Sequence, residues 1–260
     1  MGTAQVQGDL WGAHARDWAA DQEGMQGPIY DAVFDALGVT TGTKLLDVGC
    51  GAGLAARLAA QQGAAITGLD ASAPFIDIAR ERVPGADFRV GKIEDLPFAD
   101  ATFDVVTGFN SFQYAADPVA ALREAKRVVT PGDRIVMVVW GRPEDCEHAV
   151  TLAAIGACLP PPPPGAAGPF ALSERGRVEG LMRQAGLTPR HDGEVDCPFD
   201  YADDDSAWRA LRSSGPAERA VRHAGTEQVK EAVLASLQPF KTDSGGYRQE
   251  NKFRYVIATA

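Results

Sequence analysis

The 260-residue chain has 45% hydrophobic residues and a formal net charge of −10, enough apolar material for one large folded core. Its acidity argues against a phosphate backbone or an anionic membrane surface as the main partner, and no Lys/Arg block offsets it locally. The four cysteines, Cys50, Cys146, Cys158 and Cys197, form no C-x-x-C and no metal-like pairing with histidine, so reduced thiols and no bound metal are expected.

The opening "MGTAQVQGDL" has neither the charged nor the apolar region of a secretory leader. The longest apolar run, "IVMVVW" (135–140), is too short to span a bilayer. A soluble, cytoplasmic chain is the expectation. Residues 8–38 read as two helices. In "DLWGAHARDWAADQEG", Trp11, His14 and Trp18 fall at i, i+3 and i+7 on one face. "PIYDAVFDALG" repeats the pattern with Ile29, Val33 and Leu37, and Gly38 suits a helix stop. From Lys44 strands and helices alternate. "KLLDV", "AAITGLD" (64–70), "ADFRVG" (86–91), "FDVVTGFN" (103–110) and "DRIVMVVWG" (133–141) read as strands, the last buried on both faces. Helices follow Gly53, begin at "APFIDIARERV", and open with Asp117 as N-cap and Pro118 at the first position, with Val119, Leu122 and Val129 inward. Such alternation predicts an α/β fold with a doubly wound, Rossmann-like sheet.

After Gly141 the regularity weakens. "CLPPPPPG" (158–165) should be extended. Ser173 is placed to cap a helix carrying Val178, Leu181, Met182 and Ala185, ended by Gly186. A strand is expected around 188–199, helical pieces over 203–238 starting in "ADDDS", a flexible loop at "KTDSGGYRQE", and a closing strand at "KFRYVIATA".

The stretch "LLDVGCGAGLAARLAA" (45–60) has three glycines in five positions between a strand and a helix, where backbone N–H groups and a tight turn let a ligand approach. A dinucleotide fingerprint would need a small residue at position 54, where Leu54 stands. Asp47, just before the first glycine, would oppose a pyrophosphate and suits an ammonium group. Asp70, at the end of the second strand, is placed to accept from both hydroxyls of a ribose. A ligand with a ribose, a cationic amino acid end and no phosphate fits best, namely S-adenosylmethionine (SAM). An NAD(P)-dependent oxidoreductase is the alternative enzyme, disfavoured also by the lack of a Tyr-x-x-x-Lys pair. A SAM-fold protein that binds without catalysis is the non-enzyme alternative.

Four segments in order, "LLDVGCGAG", "GLDAS", "IEDLPFADATFDVV" and "EAKRVVTPGDRIVMVVW", resemble a class I SAM-dependent methyltransferase of the small-molecule type. The likeness spans roughly residues 43–141 and, more weakly, the last two strands. It implies a seven-stranded sheet whose last strand, "KFRYVIATA", is antiparallel. The layout implied is a helical lid (1–42), a SAM-binding core (43–141), and a region (142–260) that completes the sheet and carries cap insertions at about 142–172 and 198–246. Carried over, Asp47 and the backbones of Gly49 and Gly51 would serve the methionine part, with Cys50 a small filler between them. Asp70, with Ala71 beside it, would serve the ribose. Phe75 and Ile93 would meet the adenine, Asn110 would neighbour the cofactor, and Trp18 would contribute from the lid. Where the family reads "GDAEDLPF" this chain reads "GKIEDLPF". Lys92 replaces an aspartate that meets the adenine amino group, and lysine has no acceptor to offer. Glu94 or a backbone carbonyl would take that role.

Methyl transfer is an in-line displacement for which the protein supplies alignment and desolvation. A base is needed only for a hydroxyl or a protonated amine. His14, on the Trp11/Trp18 face, is the first candidate base, and His148 the second; packing alone would also account for either. Trp11, Tyr30, Gln113 and Trp140 are expected to meet a small, partly apolar acceptor of aromatic or natural-product type. The absence of "NPPY" after the fourth strand argues against amino groups of nucleic acids or proteins. Acceptor atom and oligomeric state are left open by the sequence.

Overall fold

The computed structural model describes residues 3–161 and 168–260. The expected extended proline run falls largely outside the described residues, which stop at Pro161 and resume at Gly168. Helices Thr3–Gly12 (α1), Ala15–Asp17 (α2) and Gly27–Leu37 (α3) precede strand Lys44–Val48 (β1), with a π turn at Trp18–Gln22 and a 3-10 turn at Glu23–Gln26 between α2 and α3. There follow Leu54–Gln61 (α4), Ala65–Asp70 (β2), Ala73–Arg82 (α5), Asp87–Val90 (β3), Phe103–Phe109 (β4), Pro118–Val128 (α6) and Val129–Trp140 (β5). The C-terminal part contains His148–Ala157 (α7), Arg177–Gln184 (α8), Thr188–Asp196 (β6), Phe199–Tyr201 (β7), Asp204–Arg212 (α9), Gly215–Ala224 (α10), Thr226–Leu237 (α11), Tyr247–Gln249 (β8) and Lys252–Thr259 (β9).

Seven strands form one sheet in the order β3-β2-β1-β4-β5-β9-β6. β3 through β5 pair in parallel, and β9 runs antiparallel between β5 and β6. This is the doubly wound, Rossmann-like sheet that the alternation implied, with the seven strands and antiparallel last strand that the resemblance added. Side-chain alternation sorts the core onto two faces. Leu45, Val105, Val136 and Ile257 pack with α3 and α4, while Leu46, Val106, Ile135 and Val256 pack with α6 and α8. β1 and β4 lie side by side although β2 and β3 intervene in sequence, so the winding reverses between them. Ligands of open α/β sheets lie beyond the strand ends at such a switch point.

Several local expectations change. The N-terminal helix begins at Thr3 and stops at Gly12, so residues 8–22 are not one continuous helix. α6 ends at Val128, and Val129 already belongs to β5. Ser173 does not cap α8. Its hydroxyl donates to the Phe170 carbonyl at 2.8 Å, and the helix starts after Gly176, whose N–H donates to Glu179 at 3.0 Å. The stretch "KTDSGGYRQE" is not all loop: its Tyr247–Gln249 pairs with Phe199–Tyr201 in a two-stranded ribbon apart from the main sheet. The ribbon bears on the site because it carries Phe199 and Gln249 to the first turn of α7. No helix among the described residues is long and apolar enough to cross a membrane.

Candidate active site

The glycine turn after β1 is clamped against the end of β4. Gly49 has φ +73°, and a Cβ there would overlap the Ser111 side chain. The Ser111 hydroxyl in turn donates to the Val48 carbonyl at 2.6 Å. Asn110, between β4 and Ser111, takes a left-handed φ of +51°, which asparagine tolerates better than most side chains.

Two carboxylates flank this turn. Asp47 is 2% exposed and accepts a hydrogen bond from the Thr107 hydroxyl at 2.7 Å. Burial pushes its pKa up to about 7 against that hydrogen bond, and the carboxylates of Asp70 and Glu23 add to the push. Asp70 accepts from the backbone N–H groups of Ser72 at 2.8 Å and Gly51 at 3.0 Å. Burial raises its pKa as well, and those amides oppose the rise.

The N-terminal helices close over the turn. α1 approaches so tightly that a Cβ on Gly8 would overlap the Ala71 carbonyl. Trp11 and Trp18 meet edge to face with centroids 5.0 Å apart, Trp18 leans on Phe75 at 6.4 Å, and Trp11 meets Tyr114 at 5.7 Å. Glu23 ties this layer down. Its carboxylate accepts from the Leu54 N–H at the start of α4 and pairs with Arg82, which also donates to the carbonyls of Ala52 and Ala19.

Beyond the turn lies one cavity holding about 1420 Å³ between its walls, part of it open to solvent. Its far wall comes from the end of β5 and the cap: Trp140, His148, Leu152, Phe199 and Leu211, with Tyr30 and Phe109 alongside. Trp140 stacks on His148 (5.5 Å, 17°), and Tyr30 meets Phe109 edge to face at 4.7 Å.

Known proteins similar to this chain are methyltransferases. A methyltransferase domain model matches residues 46–137. Demethylmenaquinone methyltransferase of Renibacterium salmoninarum is 35% identical over 111 residues, 43% of this chain and 47% of that protein, so the chain spans about half of that relative. The 27-O-demethylrifamycin SV methyltransferase of Amycolatopsis mediterranei is similar nearly end to end, 28% identical over 99% of this chain and 93% of its own length. Among solved structures, the YcgJ protein of Bacillus subtilis shares the fold with a TM-score of 0.58 at 19% identity, covering 88% of this chain and 97% of that one. The chain is thus similar to class I SAM-dependent methyltransferases, in sequence over residues 46–137 and in fold along most of its length.

The residues around the turn suit S-adenosylmethionine, the ligand expected from the sequence. Asp47 has one hydrogen-bonding side chain beside it and room toward the cavity for an ammonium group. Each oxygen of Asp70 takes one amide and keeps a lone pair for a ribose hydroxyl. Every cofactor-side residue expected from the sequence lines the cavity: Trp18, Asp47, Gly49, Cys50, Gly51 and Asp70, then Ala71, Phe75, Ile93, Glu94 and Asn110. Lys92 does not line it and is exposed, and its neighbour Glu94 accepts from the Ala116 N–H at 2.7 Å. On the acceptor side Trp11, Tyr30 and Trp140 line the cavity.

Two residues are misplaced by the sequence reading. His14 is not among the cavity's lining residues. Because α1 ends at Gly12, His14 leaves the Trp11 face, and its ring lies 3.4 Å from Glu218 and 3.6 Å from Asp17 on the outer side of the lid. A base role for His14 is therefore withdrawn. Gln113 is also absent from the lining. The 3-10 turn Phe112–Tyr114 presents Tyr114 instead, and Gln113 donates to the Asn110 side chain at 3.3 Å. What sequence reasoning missed is Glu23, one polar residue among several in the 3-10 turn Glu23–Gln26 and its approach, and Tyr114, Phe199 and Leu211, which carry no motif. Among the described residues no cluster of three His, Cys, Asp or Glu side chains could hold a metal ion.

Proposed function

We propose that this protein transfers the methyl group of S-adenosylmethionine to a small, partly apolar acceptor held between the sheet ends and the cap. The observation that carries it is the pairing of Asp47 and Asp70 around a glycine turn, in one cavity whose wall continues into Trp11, Tyr30 and Trp140. Asp47 takes the ammonium end with the backbones of Gly49 and Gly51, and Cys50 fills the space behind them. Asp70 takes the ribose, with Ala71 at its side. Phe75 and Ile93 pack on the adenine, Glu94 faces its amino group, and Asn110 and Trp18 close the remaining sides. Trp11, Tyr30 and Trp140 form the acceptor's wall. When bound, the cofactor supplies an electrophilic methyl carbon on a sulfonium; the chain contributes orientation and exclusion of water. The relative that aligns along 99% of this chain is named as a 27-O-demethylrifamycin SV methyltransferase, an enzyme acting on a small molecule, in line with this acceptor class. A nicotinamide dinucleotide would bring a pyrophosphate against Asp47, a buried carboxylate, which disfavours the oxidoreductase alternative.

Isothermal titration with S-adenosylhomocysteine and, separately, NAD tests this. Binding of the first alone is expected, weakened about 100-fold in Asp70→Ala, since two hydrogen bonds to a charged group are lost at about 1.5–3 kcal/mol each before compensation. Tight binding of NAD, or of neither, would overturn the assignment.

A further inference from the structure

His148 is the one histidine on the cavity wall, and the side chains around it fix which of its nitrogens carries the proton. Gln249, fully buried in β8, places its carbonyl oxygen 3.0 Å from His148 Nδ1. The amide cannot be turned round, because Gln249 Nε2 donates to the Glu147 carbonyl (3.3 Å), a group that only accepts, and to Thr151 Oγ1 (3.1 Å). His148 Nδ1 must therefore be the donor, which leaves Nε2 bare with its lone pair. No group among the described residues is bonded to Nε2. The ring is held flat by Trp140 stacked on it and Phe199 edge-on at 5.3 Å. Its backbone N–H is held by Asn251 Oδ1 at 2.9 Å, and Asn251 in turn donates to the Gln249 carbonyl.

We propose, resting on the methyl-transfer assignment above, that the acceptor carries a hydroxyl and that His148 Nε2 accepts its proton, with Gln249 as the positioning residue that sets the tautomer. The balance is simple. The acceptor oxygen forms the C–O bond to the methyl carbon, the C–S bond breaks with its electron pair kept by sulfur, and the O–H proton passes to His148 Nε2. Bulk water removes that proton once products leave. A strong base is not required. As the oxygen gives up a lone pair to carbon it becomes cationic, and its O–H becomes far more acidic than an imidazolium. The surroundings keep the ring neutral and ready. Burial lowers its pKa to about 4, the Gln249 hydrogen bond opposes that, and the ring sits at the N-terminal end of α7, where a positive charge is disfavoured. The elements packed against the ring present Trp140, Phe199 and Gln249. The nearest carboxylate in sequence, Glu147, is turned away to accept from the Glu250 N–H.

The test uses the full chain loaded with S-adenosylhomocysteine, with 15N in its histidine rings and 2-naphthol as the hydroxyl probe. Long-range 1H–15N spectra near neutral pH should show His148 protonated at Nδ1 and bare at Nε2, its signals assigned by their loss in His148→Gln. The Nε2 resonance should shift when 2-naphthol is added and stay in place with 2-methoxynaphthalene. An Nε2–H tautomer, or an Nε2 signal indifferent to 2-naphthol, overturns the proposal. With SAM and 2-naphthol as substrates, His148→Gln should lose about 10²–10⁴ in kcat, the range of a general base, with KM for SAM unchanged. Gln249→Leu should show mixed tautomers and a smaller loss. Turnover by His148→Gln within threefold of wild type would also overturn it. Retained S-adenosylhomocysteine binding in both variants shows that they fold. Failure of wild type to bind S-adenosylhomocysteine would be a failure of the methyltransferase assignment itself, a separate result.

Discussion

The two halves of the cavity are built in opposite ways. Apart from Trp18, the cofactor half comes from one continuous stretch, Asp47 to Asn110, in which strand ends deliver carboxylates and backbone amides directly into a turn. The acceptor half is assembled from Tyr30, Trp140, His148, Phe199 and Leu211, far apart in sequence, and apart from one imidazole, the Tyr30 hydroxyl and the Trp140 N–H those five groups are apolar. The first half holds buried charge that a bound cation must compensate. The second holds shape, which any set of apolar residues of similar volume can supply. A fixed ligand thus leaves a compact signature in the chain, whereas a variable acceptor is met by packing drawn from whichever segments reach it.

That contrast is broken most forcefully at Glu23, which belongs to neither block yet joins the lid to the glycine turn. Removing one partner of a buried ion pair leaves the other uncompensated, at a cost of about 3–5 kcal/mol. Urea unfolding of Glu23→Ala should show a loss of that order, because Arg82 keeps only the carbonyls of Ala52 and Ala19. A loss below about 1 kcal/mol, the range of an exposed pair, would mean that the cofactor half stands without the lid.

Next in size is Asp47, where stability and binding should move in opposite directions. Its pKa in the folded chain, about 7, is above the ordinary value of 3.8. Between those values the folded chain binds a proton that the unfolded chain has released, so stability falls as pH rises from about 4 to 7, by up to about 4 kcal/mol in total. Asp47→Asn keeps a partner for Thr107 and removes this penalty. The free protein should melt several degrees higher than wild type above neutral pH and at the same temperature near pH 4. S-adenosylhomocysteine should bind wild type more tightly as pH rises through about 7, as the carboxylate that faces the ammonium ionises, and the variant should bind weakly at every pH. A variant that melts like wild type above neutral pH would show that Asp47 is solvated and ionised there, and the electrostatic contrast between the halves would weaken.

The same contrast explains what was legible in the sequence. Strand runs such as "KLLDV" and "IVMVVW" state their burial through composition, and the glycine spacing with Asp47 and Asp70 states its chemistry through local geometry, so sheet and cofactor side could be read directly. His14 was misread because a 3.6-residue pattern was carried across Gly12, where the helix ends and a π turn follows. Gln113 was misread because a polar side chain beyond a strand end looks like a ligand contact until the 3-10 turn sets its direction. The Gln249 contact with His148 spans 101 residues and depends on a three-residue ribbon strand inside a Gly-rich stretch. No local pattern encodes such a meeting; only the closed fold creates it.

The smallest effect, and the sharpest on the cofactor half, is expected at Lys92. Its position in the "GKIEDLPF" segment is where the resemblance implies an aspartate, and by sequence alone the lysine looks like a defect in the adenine site. The structure puts Lys92 in solvent, joined to the rest of its turn by a bridge to Asp95, while Ile93 and Glu94 face the cavity. Glu94 is already oriented by the Ala116 N–H through one oxygen, leaving the other for an amino group. If that is how adenine is read, Lys92→Asp should change S-adenosylhomocysteine affinity by less than about threefold, and Glu94→Gln, which turns an acceptor into a donor on one side, should cost about tenfold, the worth of one hydrogen bond to a charged group at about 1.5 kcal/mol. Competition against S-inosylhomocysteine, which has an oxygen in place of the amino group, separates the two cases, because a site built to accept from an amino group rejects the analogue lacking it. A tenfold gain in Lys92→Asp, with Glu94→Gln neutral, would move the adenine contact back to position 92 and make the lysine a real loss in this chain.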